Sequence, residues 1–477
     1  MEMVRISPRQ GDRGAVRRPG SSAFPRAHFP SAHSRRRANL LEKKKKLSWR
    51  GGATGKGAAS ARRAGRAMAT WDPKAGKAVV WCKPGPCGAK GTPGRAPAPR
   101  AGAGAGAGAG AAAARGDCGL SLEERFALCA SVGEECIKEE ELRALLERKP
   151  NPVCYDGFEP SGRMHIAQGV MKALNVNKLT KAGCVFKFWV ADWFAMMNNK
   201  MGGDLKKIKK VGLYLIEIWK ALGMDMSRVE FYWTSDEINN RSEEYWPLVM
   251  DIARLNTLKR IIRCSQIMGR AEGDGSGGVN LDLSAAQIMY PCMQAADIFF
   301  LKADICQLGM DQRKVNMLAR EYCDVCKPKR KNKPVILSHH MLSGLLQGQE
   351  KMSKSDTSSA IFMEDTVADV NTKIKKAYCP PGKVEGNPCL EYIQYVVLPW
   401  NQEFTVIRKE ENGGDKTYKA YAELEADFAS GALHPGDVKP ALAKALNSIL
   451  QPVRDHFKSN KEAAALLKQV KSYKVTK

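Results

Sequence analysis

The chain has 477 residues, 44% of them hydrophobic, and a formal net charge of +26, which is enough sequence for two or three domains and ordinary apolar content for a globular fold. The charge is unevenly divided: residues 1–115 carry 25 Lys and Arg against 4 acidic residues, and the remainder 51 against 46. Fourteen cysteines without a framework spacing, and no secretory apolar segment ahead of them, lead us to expect a reduced intracellular protein, and no apolar run is long enough to cross a bilayer.

Residues 1–117 are low in complexity, with an Arg run at 35–37, a Lys run at 43–46, a Pro-rich stretch at 92–99 and a Gly-Ala alternation at 101–114. Such a composition buries too little apolar surface to offset chain entropy, so a disordered basic tail is expected, acting as an RNA-binding arm, a targeting sequence or simply a solvated charge run. Order is expected from Ser121, which with Glu124 makes a capping box before Phe126, Leu128 and a helical pattern running through Leu146. Strands and helices then alternate: a strand at 153–155, a helix at 165–180, a strand at 184–190, a helix at 205–222 and a strand at 229–233. Helices dominate from there to 322 around a short strand near Ile305, and a strand at 334–337 closes the series. The alternation predicts an α/β fold, a Rossmann-like parallel sheet whose ligands sit beyond the carboxyl ends of the strands. The final part reads as chiefly helical, at 367–378, 390–397, 417–428 and 438–457. Three regions follow: the tail at 1–117, a sheet domain at 118–357 and a helical C-terminal domain at 358–477. Within the sheet domain Cys323 and Cys326 lack a second pair at zinc spacing, so no metal site is expected there.

Two distant segments carry chemistry. In Tyr155-Asp156-Gly157-Phe158-Glu159-Pro160-Ser161-Gly162-Arg163-Met164-His165-Ile166, Gly157 and Gly162 let backbone approach a nucleotide, and a helix starting near His165 aims N–H groups at phosphate. Lys351-Met352-Ser353-Lys354-Ser355 places two ammonium groups on a small, polar, turn-prone segment after a Gly-rich stretch, suited to swinging onto a polyphosphate. Either alone is weak, whereas both in this order define a nucleotide site. On the helix expected over 284–301, Tyr290, Gln294 and Asp297 fall at i, i+4 and i+7 and share one polar face among apolar neighbours.

Together these segments resemble the two signatures of class I aminoacyl-tRNA synthetases. Tyr290-Pro291-Cys292-Met293-Gln294-Ala295-Ala296-Asp297, with Gly309-Met310-Asp311-Gln312-Arg313-Lys314, resembles the amino-acid pocket of tyrosyl-tRNA synthetases of the archaeal and eukaryotic cytosolic type, and the likeness covers about 120–477. It implies that Tyr155 and Asp297 bind a phenolic hydroxyl, that Tyr290, Gln294 and Gln312 hold an α-ammonium group, and that His165, Lys351 and Lys354 act on ATP. Gly157, Glu159, Gly162 and Gln168 complete the nucleotide site. Gln168 stands where the family has the second histidine of its first signature, and it can donate to phosphate but carries no charge. The resemblance further implies ATP with Mg²⁺, tRNA(Tyr) contacted through Arg313 at the acceptor stem and through His434 and Asp437 at the anticodon, a homodimer, and a cytoplasmic location, with organellar targeting by the tail the lesser alternative. Relatives place an aromatic where this chain has Asn412 before Gly413-Gly414. The tryptophan enzyme shares fold and signatures, and Tyr155 with Asp297 at a phenol argues against it; a noncatalytic RNA-binding protein has no need of the paired lysines or of a complete pocket.

Overall fold

A computed structural model describes residues 69–72, 77–80, 118–264, 283–349, 352 and 358–474. The N-terminal unit contains two short strands, β1 (Ala69–Asp72) and β2 (Lys77–Val80), paired antiparallel. The rest of residues 1–117, where the sequence leads us to expect disorder, lies outside the described residues.

In the second unit α1 (Leu122–Ala130) opens with the expected capping box, Glu124 N–H donating to Ser121 Oγ at 3.3 Å and Ser121 N–H to the Glu124 carboxylate at 2.8 Å. The helical pattern does not continue unbroken to Leu146. A side chain at Gly133 would stand 2.8 Å from the Glu135 carbonyl, so the chain turns tightly there and a three-residue edge strand, β3 (Glu135–Ile137), precedes α2 (Glu139–Arg148). The elements that follow are β4 (Val153–Phe158), a π-helical turn (Ala167–Met171), α3 (Lys172–Lys181), β5 (Val185–Val190), α4 (Asp192–Met197), α5 (Leu205–Ala221) and β6 (Val229–Trp233). After them come α6 (Thr234–Asn240), α7 (Ser242–Arg254), α8 (Leu258–Cys264), α9 (Ala285–Phe300), β7 (Ile305–Gly309), α10 (Arg313–Val325) and β8 (Val335–His339).

Six strands form one sheet in the order β3-β8-β7-β4-β5-β6, all parallel except β3, which runs antiparallel to β8. Along β5, Phe186, Phe188 and Val190 enter one core and Trp189 the other, as a period-two strand covered on both faces requires. Phe188 stacks between Trp219 and Phe231 at centroid distances of 4.8 and 5.2 Å. The chain leaves β4 toward β5 and β6 and returns to β7 on the other side, so strand order reverses between β4 and β7. A ligand crevice opens at such a reversal, beyond the carboxyl ends of the two strands.

The C-terminal part holds α11 (Val367–Lys376), α12 (Pro388–Tyr392), a second π turn (Ile393–Val397), α13 (Leu398–Asn401), β9 (Phe404–Val406), β10 (Lys416–Tyr418), α14 (Tyr421–Ser430), α15 (Pro435–Ser459) and α16 (Lys461–Ser472). The helix expected from 417 begins at Tyr421, because Lys416–Tyr418 instead pairs antiparallel with Phe404–Val406. One hydrophobic core runs from the sheet into these helices, with Val370, Leu390 and Leu446 in the same cluster as Phe186 and Ile208. Tyr214 of α5 meets Phe457 of α15 at 5.7 Å between ring centroids, and His456 bonds Glu217 at 2.9 Å.

Candidate active site

At the reversal point lies a cavity of about 380 Å³ lined by β4 and the loop after it, the first turn of the signature helix, α9, the turn after β7 and the end of β8. Tyr155, Gly157, Glu159, His165, Gln168, Tyr290, Gln294, Asp297 and Gln312 all line it, so the structure brings together nine of the residues singled out in the sequence.

The α9 residues are placed as the spacing predicts. A second capping box, Ser284 with Gln287, starts the helix, and Tyr290, Gln294 and Asp297 are all buried on it. Asp297 Oδ1 accepts from Tyr245 Oη at 2.8 Å. Complete burial pushes the Asp297 carboxyl well above the usual carboxylate range, with the Tyr245 hydroxyl and Trp189 indole pulling the other way. Desolvation, then the nearby Asp297 charge, likewise raises the Tyr155 and Tyr245 phenols. Gly157 packs closely on the slot: a Cβ there would stand 3.1 Å from Tyr155 Oη and press on the phenol. The result is an apolar slot with one acidic end.

At the opposite end of the α9 face Tyr290 Oη donates to Glu159 Oε1 at 2.6 Å, Asn198 Nδ2 donates to both Glu159 oxygens at 3.2 Å, and Gln294 Nε2 donates to Gln312 Oε1 at 3.0 Å. The Glu159 carboxylate held by these donors and the Gln312 side-chain oxygen are the acceptors at this end, and they suit an ammonium group.

The signature helix departs from the regular helix expected over 165–180. Its first turn is π, and Trp219 Nε1 donates to the Gln168 carbonyl at 2.9 Å while the Lys172 N–H bonds to the Gly169 carbonyl. An external donor at one carbonyl of the ladder accounts for the wider turn, a form frequent at functional sites. Gly169 lets the Met363 side chain pack against the turn, since a Cβ there would stand 2.3 Å from Met363 Sδ and force it to shift. Gly162, at φ +138°, makes the bend before the helix. His165 Nδ1 accepts from the Gln168 N–H at 3.4 Å.

Residues 164–166 pair with 361–363: Ile166 N–H donates to the Ile361 carbonyl at 2.8 Å and Met363 N–H to the Met164 carbonyl at 2.9 Å. Arg163 clamps this junction, ion-paired with Glu364 and with Asp365 at 2.9 Å and lying 4.2 Å over the Phe362 ring. Tyr214 Oη donates to Glu364 at 2.7 Å, Lys373 Nζ bonds Asp365 at 2.6 Å and Arg454 Nε donates to the Asp365 carbonyl at 2.7 Å. Lys351 and Lys354 lie outside the described residues; Met352 between them lines the cavity, with Tyr392 Oη 3.8 Å from its sulfur.

The residues assigned to RNA lie elsewhere. Arg313 is 44% exposed and bonds the Glu135 carboxylate through Nε at 2.7 Å and Nη2 at 2.8 Å. His434 caps α15, accepting from Gly436 N–H at 3.0 Å, and Asp437 sits in the first turn. Arg408 ties the Asn412 loop to this end, donating to the Gly414 carbonyl at 2.9 Å and to the Ala432 carbonyl at 2.8 Å. Sequence reading overlooked Tyr245, Trp189 and Asn198, which reach the site from other elements. It also overlooked Lys172, buried against Asp156, although its place four residues after Gln168 was visible.

A family model for tRNA synthetases class I (W and Y) matches residues 147–451, and the chain belongs to that family. Within it the similarity runs to the tyrosine enzymes. The chain is 68% identical over 356 residues to tyrosine–tRNA ligase 1, cytoplasmic, of Arabidopsis thaliana, covering 75% of this chain and 90% of the relative. Among solved structures it is similar to Leishmania major tyrosyl-tRNA synthetase in complex with tyrosinol, with TM-score 0.69 and 56% identity, covering 74% of this chain and 61% of that one. It is also similar to the Pyrococcus horikoshii enzyme complexed with L-tyrosine, with TM-score 0.66 and 34% identity, covering 74% and 100%.

Proposed function

We propose that the cavity is where tyrosine and ATP react, and that the chain is a tyrosine–tRNA ligase. The tyrosine carboxylate attacks the α-phosphorus, forming one P–O bond as the bond to pyrophosphate breaks; the terminal ribose hydroxyl of tRNA(Tyr) then attacks the activated carbonyl and releases AMP. No protein nucleophile is needed, so the site acts by positioning and by stabilising charge. The observation that carries the reading is the buried Asp297 carboxyl group closing an apolar slot beside Tyr155. A phenol satisfies it and a plain benzyl ring leaves it unpaired. Tyr290, Gln294, Gln312 and Glu159 hold the α-ammonium end, while Gly157, Gly162, His165, Gln168, Lys351 and Lys354 serve ATP. Mg²⁺ enters with ATP as part of the substrate, and the described residues hold no cluster of three His, Cys, Asp or Glu side chains to nominate as its ligands. Pyrophosphate exchange into ATP, measured with each of the twenty amino acids, tests the assignment: tyrosine alone should support it, and tryptophan-dependent exchange would overturn it.

The protein works in this reading as a cytoplasmic homodimer. Met250 on α7, Leu258 on α8 and Met289 on α9 are 62%, 54% and 44% exposed, and α9 packs against both other helices, which makes these three side chains candidate contacts for a second copy. Sedimentation should give twice the chain mass of 52.4 kDa, and Met250→Lys with Leu258→Lys should yield monomers; dimers that persist would place the interface elsewhere.

His434 and Asp437 read the first anticodon base in this scheme, with Arg313 at the acceptor stem. Removing both side chains should leave pyrophosphate exchange intact and weaken charging of tRNA(Tyr) by roughly tenfold, as expected for two lost contacts to an unstacked base. With Asn412 offering no ring for stacking, more discrimination rests on this pair. Equal discrimination by parent and variant against tRNA altered at the first anticodon base would remove them from that role.

A further inference from the structure

Gln168 leaves the first signature one cation short, and nothing in the sequence pattern says what makes up the deficit. We propose that Lys172 supplies it: one helical turn beyond Gln168, its ammonium group faces the ATP polyphosphate and takes the part of the absent imidazolium. The inference rests on the reading of the cavity as the ATP site.

Residues 168 and 172 are four apart and share a helix face, and long helical side chains lean toward the preceding turn, so the Lys172 stem points back over Gln168. Both line the cavity together with His165. The Gln168 Oε1 atom is buried with no hydrogen-bond partner among the described residues, so the Lys172 ammonium group, held by Asp156, is not spent on Gln168.

The Lys172 amine forms an ion pair with Asp156 of β4, its side chain only 11% exposed. Burial lowers it to about 7, with Asp311, in the turn after β7, acting in the opposite direction. His339 at the end of β8 faces the same group and is itself held well below its ordinary value, by burial first and then by Lys172, so it stays neutral through the same range. A buried ion pair contributes little to stability against an apolar replacement, so folding alone gives no reason to keep this one. What it provides is a cation held ready in a poorly hydrated site, where charge developing on departing pyrophosphate is stabilised most.

The test uses the full chain. Lys172→Met combined with Asp156→Leu removes both charges without leaving either buried alone, which protects the fold, and thermal melting verifies that it has done so. Single-turnover formation of tyrosyl-adenylate at saturating ATP should fall by about 10²-fold, the usual scale for losing one transition-state donor. Adding Gln168→His to that variant should restore at least about tenfold, because an imidazole returns to the vacated role. In the parent, kcat/KM for ATP should decline toward high pH as the lysine, whose proton burial loosens, becomes neutral, and in Lys172→Arg that limb should be absent because the guanidinium stays charged. A rate within about threefold of the parent, a loss that Gln168→His does not recover, or identical pH profiles for the parent and Lys172→Arg would each overturn the proposal. A parent that forms no tyrosyl-adenylate overturns the assignment of the cavity and this inference with it; an active parent with an indifferent double variant overturns this inference alone.

Discussion

Lys354→Ala is expected to slow tyrosyl-adenylate formation by about 10²- to 10³-fold while leaving the tyrosine dissociation constant within about twofold of the parent. The lysine acts on charge that appears only as pyrophosphate departs, so its loss should be felt in the rate and not in ground-state binding of an amino acid that carries no phosphate. Chain connectivity makes the role practicable: Met352 lines the cavity, and a residue two positions on is at most about 7 Å of chain away, within the span of a lysine side chain. Quenched-flow measurement at saturating ATP, with equilibrium tyrosine binding on the same preparation, separates the two effects. A change confined to tyrosine affinity would make the segment a structural lid and not a source of charge.

Asp297→Asn is expected to lower kcat/KM for tyrosine by roughly 10- to 100-fold, the range for one mismatched buried hydrogen bond, and to narrow the preference for tyrosine over phenylalanine. Tyr245 occupies Oδ1, which leaves Oδ2 for the incoming phenol. With asparagine, one end must still accept from Tyr245, so the end facing the substrate becomes a donor. Stability should move the other way. The Asp297 carboxyl is raised above its unfolded value by burial, so the folded state binds the extra proton and loses stability as pH rises from the unfolded value through the raised one. Asparagine has no such loss, and its melting temperature at neutral pH should equal or exceed the parent's. An unchanged tyrosine-to-phenylalanine ratio in adenylate formation would remove Asp297 from the phenol end.

The polar face of α9 was legible because helical periodicity is a local signal: Tyr290, Gln294 and Asp297 recur at helix spacing among apolar residues, and one helix is enough to assemble them. β4, β5 and β6 were legible as short β-branched and aromatic runs between helices. Tyr245 was not, since its role depends on α7 crossing α9 at a point that sequence spacing does not encode. β3 was hidden because three residues of an edge strand carry no periodicity, and the π turn because its cause, the Trp219 indole at the Gln168 carbonyl, comes from fifty-one residues away. The Lys172 and Asp156 pair spans sixteen residues from strand to helix, and only the folded sheet brings the two together.

The junction held by Arg163 bears on how far this enzyme can be taken apart. A fragment ending before 361 would leave the Ile166 N–H and the Met164 carbonyl unsatisfied and Arg163 without its carboxylates; each buried backbone group left unpaired costs about 1–3 kcal/mol, a large fraction of a domain's whole stability. A fragment ending after 365 would restore those partners but lose Lys373 and Arg454, which hold Asp365 from the C-terminal helices. Cutting between the two signatures and the anticodon region therefore offers no clean seam. Chimeras that exchange the C-terminal helices with those of a relative should succeed only when α5, residues 163–166 and 361–365, α11 and α15 travel as one piece, which makes this block, and not the individual domain, the portable part of the molecule.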